Sequence, residues 1–133
     1  MKFNTSIKND RVKIAKEAIK IVTQYEINNG NIIIDVQHNS KYKGIDLLSK
    51  KNKKIKKIEV KGTTKEKNIP NAFASEFRNK ILIADYLYLV YFNKKKYNLY
   101  IIPSKEIKTG DITEHKYYKF SSTFLNKLQK FKK

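Results

Sequence analysis

Asp46 and Glu59 are the residues of this chain whose types and spacing best suit chemistry done together. They stand thirteen residues apart, with the Lys-rich stretch Lys50–Lys54 between them, in two runs that alternate apolar and polar residues: Gly44-Ile45-Asp46-Leu47 and Ile58-Glu59-Val60-Lys61. A hairpin between neighbouring strands brings two such carboxylates together. With waters and a substrate phosphate they make a hard oxygen set suited to Mg²⁺, with Mn²⁺ as a substitute, and the main-chain carbonyl of Val60 offers a further oxygen. Lys61 follows Glu59 by two, so its side chain leaves a strand on the same face. An ammonium there can polarise an attacking water and offset charge growing on a phosphate. The plain alternative is a solvated strand face carrying a cross-strand pair. An E-x-K triplet alone is weak in so basic a chain; the two runs at hairpin distance are a stronger signal.

Charge points the same way. Thirty Lys and Arg stand against twelve Asp and Glu, a formal net charge of +18. AT-rich codon usage accounts for Lys over Arg, but less well for so few acids. A surplus of this size calls for a polyanionic partner, nucleic acid ahead of an anionic membrane surface. The chain has no cysteine, which excludes disulfides and thiolate zinc sites and is compatible with a cytoplasmic, intracellular protein. The first ten residues lack the apolar core of a secretory signal, and no apolar run approaches the roughly 20 residues of a membrane span. His38 and His115 have no partners at metal-ligand spacing and read as surface histidines. Neither a Gly-rich phosphate loop nor a G-x-S-x-G elbow is present.

The elements that must position Asp46 and Glu59 follow from hydrophobic spacing. The 133 residues fit one domain, 1–133, with 1–9 a loose polar arm. Ile14, Ala15, Ala18, Ile21, Val22 and Tyr25 share one helical face, so a helix is expected from Asp10 to Asn28, with Asp10 as N-cap and Gly30 at the left-handed C′ position. Strands are expected at Asn31–Gln37, Gly44–Ser49, Ile55–Lys61, Tyr86–Phe92 and Tyr97–Ile102. Phe73–Ile83 reads as a second helix, Pro103–Glu106 as a turn or short helix, Thr109–Asp111 as a loop, and Ser121–Phe131 as an amphipathic helix. The order predicts an α/β domain with a mixed sheet, in which the strand after the second helix lies parallel to Ile55–Lys61. Asp85 reads as a cap or turn residue. Tyr86, Tyr88 and Tyr91 read as core; Tyr42 and Tyr117-Tyr118 are better placed to face a substrate.

Tyr42-Lys43-Gly44-Ile45-Asp46-Leu47 and Ile58-Glu59-Val60-Lys61-Gly62-Thr63 resemble the signature of the PD-(D/E)xK nuclease superfamily, which includes restriction endonucleases and archaeal Holliday-junction resolvases. The pattern is especially similar to the domain at the C-terminal end of the plant protein No Vein. The likeness runs from the first helix to about Phe92, and Gly44-Ile45 stands where the motif carries its Pro. It implies a restriction-endonuclease-like mixed β-sheet flanked by α-helices, and a Mg²⁺-dependent endonuclease that hydrolyses DNA phosphodiesters, junction or branched DNA included. Asp46 and Glu59 would then hold the metal, with Lys61 as the catalytic lysine. Many members add an acid on the first helix. Glu17 and Glu26 are the candidates here; the family pattern favours Glu17, while helical geometry leaves both open. The stretch Phe73–Arg78 also resembles the group, and Glu76 or Arg78 would approach the metal or a phosphate. Lys43, Lys53, Lys54, Lys65 and Arg78 are the expected nucleic-acid contacts, and the resolvase likeness implies a homodimer. The alternative is a non-catalytic nucleic-acid-binding module on the same fold.

Overall fold

The computed structural model describes residues 10–64, 77–78, 81–94, 96–107, 112–114, 118–120 and 126–133. Helix α1 runs Asp10–Asn28, with the bounds its sequence predicts. Its C-terminus is a Schellman cap: Gly30, at φ +84°, donates its N–H to the Ile27 carbonyl, and Asn31 donates to that of Glu26. Ile14, Ala18, Val22 and Glu26, each four residues on from the last, are the buried residues along its described length, so a carboxylate continues an otherwise apolar stripe. Ala15, placed on that face by its spacing, is exposed.

Strands β1 (Ile32–Asp35), β2 (Leu47–Lys51), β3 (Lys54–Thr63), β6 (Tyr86–Asn93) and β7 (Lys96–Pro103) form a five-stranded sheet in the order β1-β2-β3-β6-β7. All neighbours are antiparallel except β3 and β6, which are parallel with Glu59 opposite Leu87 and Lys61 opposite Leu89. The fold is thus α/β with a mixed sheet, as expected, and the parallel pairing falls where the sequence predicts it. The β2–β3 connection is tighter than the expected Lys50–Lys54 loop. Lys51 pairs with Lys54, and the turn residue Asn52 takes a φ of +57°, a conformation Asn tolerates.

The crossover between β3 and β6 differs from expectation. Two short strands, β4 (Phe77–Arg78) and β5 (Ile81–Leu82), pair antiparallel where the sequence predicts the second helix, and Ile83 follows in a bend; residues 73–76 and 79–80 of that stretch lie outside the described residues. Apolar residues four apart mimic a helix there, yet backbone pairing prevails. Ser104–Glu106 is a 3₁₀ turn, as its sequence suggests. Another antiparallel pair, β8 (Ile112–Glu114) and β9 (Tyr118–Phe120), follows. The expected loop at Thr109–Asp111, His115, and the first part of the expected C-terminal helix lie outside the described residues. Leu128–Phe131 is a 3₁₀ turn that buries Phe131, and the chain end then runs along β7, with Lys133 donating to the Leu99 carbonyl. No helix among the described residues is long and apolar enough to cross a membrane.

The sheet is packed on both faces, as a parallel segment requires. On one face α1 covers Leu47, Ile58, Val60, Tyr88, Val90 and Leu99. On the other, Val36, Ile45 and Phe131 pack with Leu48, Leu87, Leu89 and Ile102. Helix and sheet approach most closely at Gly62, where an added Cβ would stand 3.0 Å from Ala18 Cβ and 3.1 Å from the Ile14 carbonyl oxygen. Gly62→Ala should therefore force the helix outward and cost about 1–3 kcal/mol in urea unfolding; an unchanged midpoint would contradict this packing.

Candidate functional site

The ladder between β2 and β3 has its last pair at Leu47 and Ile58, and the next residue of each strand is an acid. Asp46 is fixed by three bonds: its N–H donates to the Ile58 carbonyl (2.9 Å), its own carbonyl accepts from Val36 N–H (2.9 Å), and its Oδ2 accepts from Val60 N–H at 2.8 Å. The side chain thus takes over a β3 donor just where the strands part. Oδ1 has no partner among the described residues.

Strand alternation does the rest. Ile58, Val60 and Gly62 face α1, so Glu59 and Lys61 project from the opposite face. Glu59 is only 3% exposed and lines, with Asp46, a cavity of ≈ 380 Å³ whose rim includes His38, Tyr42, Lys43 and Gly44. Gly44 holds a φ of +82°, so a left-handed glycine shapes the loop that carries Asp46. The described buried polar residues are Glu26, Ser49 and Glu59. The first two bond each other, and Glu59 forms part of a cavity wall. A buried carboxylate is normally paired, hydrogen-bonded or bound to a metal.

The expected residues fare differently. Asp46 and Glu59 are brought together, and Lys43 joins them on the cavity rim. Lys61 lies one alternation further along the same strand face, about 6.6 Å on, and does not line the cavity. Val60 is buried, with its N–H committed to Asp46. Glu17 also stays off the cavity wall. It sits on the turn of α1 that meets Gly62, with Oε1 3.5 Å from Lys20 Nζ. Lys53 is exposed in the β2–β3 turn, and Lys54 belongs to the helix-covered face. Lys65, Glu76 and the side chain of Arg78 lie outside the described residues, as does Tyr117. Tyr42 is half-buried at the cavity, Tyr88 is buried in the core, and Asp85 is a turn residue whose Oδ2 accepts from Lys57 N–H.

Glu26 has a different place. Its carboxylate accepts from Ser49 Oγ (2.7 Å), Tyr88 OH (2.8 Å) and Asn31 Nδ2 (3.1 Å), and pairs with Lys56 Nζ at 2.9 Å. Burial raises its pKa, but the bonds from Ser49, Lys56 and Tyr88 outweigh that and hold it below its ordinary value. Tyr88 is pushed far up, by burial and then by the bond to Glu26. This network lies on the helix-covered face, which separates Glu26 from the Asp46–Glu59 cavity. Two features thus escape the sequence reading. His38 joins the cavity rim, and Lys56, one of a run of surface-like lysines, is a buried-pair partner.

No family model matches this chain, and the comparisons with curated proteins and with solved structures likewise found no match.

Proposed function

We propose that the protein is a metal-dependent endonuclease that hydrolyses DNA phosphodiesters, with the restriction-endonuclease-like arrangement its motif resembles. The observation that carries this reading is the convergence of Asp46 and buried Glu59 on one cavity at the point where β2 and β3 separate. The donor set fits Mg²⁺: all its atoms are hard oxygens, and Mg²⁺ is commonly held by one or two carboxylates, with waters and substrate phosphates completing its shell. Asp46, Glu59 and the main-chain oxygen of Val60 would hold the ion. When bound, it supplies Lewis-acid polarisation of the phosphoryl group.

The chain's own residues supply the rest. Val60 N–H orients the Asp46 carboxylate. The Lys61 ammonium, on the Glu59 face, steadies the attacking water and offsets charge on the phosphorus centre. Water oxygen bonds to phosphorus as the water gives up a proton to solvent, the bond from phosphorus to O3′ breaks, and the departing oxygen takes up a proton in turn. Glu17, the helix acid that the resemblance favours, lies on the helix-covered side of the sheet and off the cavity wall, and no step here is routed through it. Lys43 on the rim, with Lys53, Lys54, Lys65 and Arg78, would hold backbone phosphates, so affinity should fall steeply with salt. The resolvase likeness adds branched DNA as substrate and a homodimer as the working form.

A second reading, a binding module without catalysis, rests on the formal net charge of +18, which suits nucleic acid whether or not it is cleaved. Supercoiled plasmid and four-way-junction DNA with Mg²⁺ or Mn²⁺ separate the two. Nicking by wild type and none by Asp46→Asn supports the nuclease. Asn keeps an oxygen for Val60 N–H, so the loss of stability should be no more than about 1 kcal/mol. Tight binding without cleavage by either protein supports the module.

A further inference from the structure

A second and larger cavity, of ≈ 600 Å³, lies at the other end of β3. Helix α1 ends at Asn28 and does not extend over the sheet beyond it. Ser49, Lys51, Lys54, Lys56, Tyr86 and Pro103 belong to the helix-covered face by strand alternation, and all line this opening. Lys105 closes it from the 3₁₀ turn after β7. Four lysines thus meet one acid, Asp85, whose Oδ2 already accepts from Lys57 N–H.

The lysines divide the work. Lys56 is fixed: its ammonium holds Glu26 at 2.9 Å and Tyr88 OH at 2.8 Å, and lies 5.1 Å from the centre of the Tyr86 ring. Its charge is matched by Glu26, so it serves as a rigid wall. Lys51, Lys54 and Lys105 are exposed at the mouth and set its positive potential. Tyr86 is held edge-to-face against Tyr88, with centroids 6.4 Å apart, which keeps an aromatic ring in the wall at little further entropic cost. A ring beside a cluster of cations is the pairing that binds one nucleotide unit, base on the ring and phosphate on the ammonium groups. The volume lies within the usual range for a small-ligand pocket, and is too small for a duplex.

We propose that this cavity binds a single nucleotide unit, with its phosphate among Lys51, Lys54 and Lys105 and its base against Tyr86. The site is separate from Asp46 and Glu59. It lies on the other face of the sheet, about 17 Å along β3 from Glu59 to Lys54. It does not require that the protein cleave DNA.

The test measures anisotropy of fluorescein-labelled dT12, and calorimetry with AMP, on the full chain carrying Glu59→Gln so that no probe is consumed. Lys51→Glu/Lys105→Glu should weaken binding at least tenfold, and Tyr86→Leu about tenfold. Lys94→Glu/Lys96→Glu, which makes the same charge change in the exposed β6–β7 hairpin, should stay within threefold. Binding of both probes, each weakened by the cavity changes, assigns the site to free nucleotides. Binding of dT12 alone, weakened in the same way, assigns it to a strand segment. Equal loss in the cavity and hairpin pairs, or no binding of either probe by the parent protein, overturns the proposal.

Discussion

Glu59→Gln should lower the rate of Mn²⁺-supported plasmid nicking by at least ~10²-fold, and Lys61→Ala by a similar factor, while both proteins stay folded. Glu59 is buried in the cavity wall, so Gln preserves its shape while removing the negative charge and turning one ligand oxygen into an N–H donor. Lys61 is half-buried on the same strand face, and its loss removes the cation that would sit beside the attacked phosphate. The two changes should differ in metal dependence. Lys61→Ala should keep the wild-type Mn²⁺ concentration for half-maximal rate, because it removes no ligand. Glu59→Gln should raise that concentration wherever residual activity can be measured. Full activity in both variants would remove the site from consideration.

The largest loss of stability is expected at Glu26, on the other face of the sheet. Glu26→Ala strips the acceptor from Ser49, Tyr88 and Lys56 together. Breaking a buried ion pair from one side commonly costs 3–5 kcal/mol. Lys56 retains 30% side-chain exposure, so its stranded ammonium is partly hydrated, and the expected cost is about 3 kcal/mol, at the low end of that range. Urea unfolding reads it directly.

The same carboxylate sets an acid limb. Its folded pKa lies below the ordinary 4.5, so the unfolded chain takes up the proton first as pH falls. Stability from Glu26 is therefore complete above about 4.5 and is lost as pH falls below it. The urea midpoint of wild type should drop between about pH 5 and about pH 3 by more than that of Glu26→Gln, which has no such proton to gain. Parallel curves would mean that the network does not hold Glu26 ionised.

Much of the scaffold was legible because its signals are local. The spacing of Ile14, Ala18 and Val22 and the Gly30 stop define α1, and alternation about Glu59 defines which residues face the helix. The pairing of Asp46 with Glu59 was legible because a short hairpin joins them. Glu26 was not. It continues the buried stripe of α1, but a charged residue there reads as a flank until its partners are known, and these lie on β2, β3 and β6. Lys56 is hidden among neighbours of identical type, and only tertiary packing singles it out. The crossover misled for another reason. Phe77 and Ile81 are four apart, as on a helix, but Ile81 and Leu82 also suit a strand, and a run that short does not decide between them.

Asp46 and Glu59 are expected to serve one divalent cation. The direct measurement is a crystal soaked in Mn²⁺ with data collected at the manganese edge. One anomalous peak should appear between the two carboxylates, within about 2.5 Å of an oxygen of each, and should vanish in Glu59→Gln. Saturating Mn²⁺ with no peak there, or with a peak that survives loss of Glu59, would contradict the account.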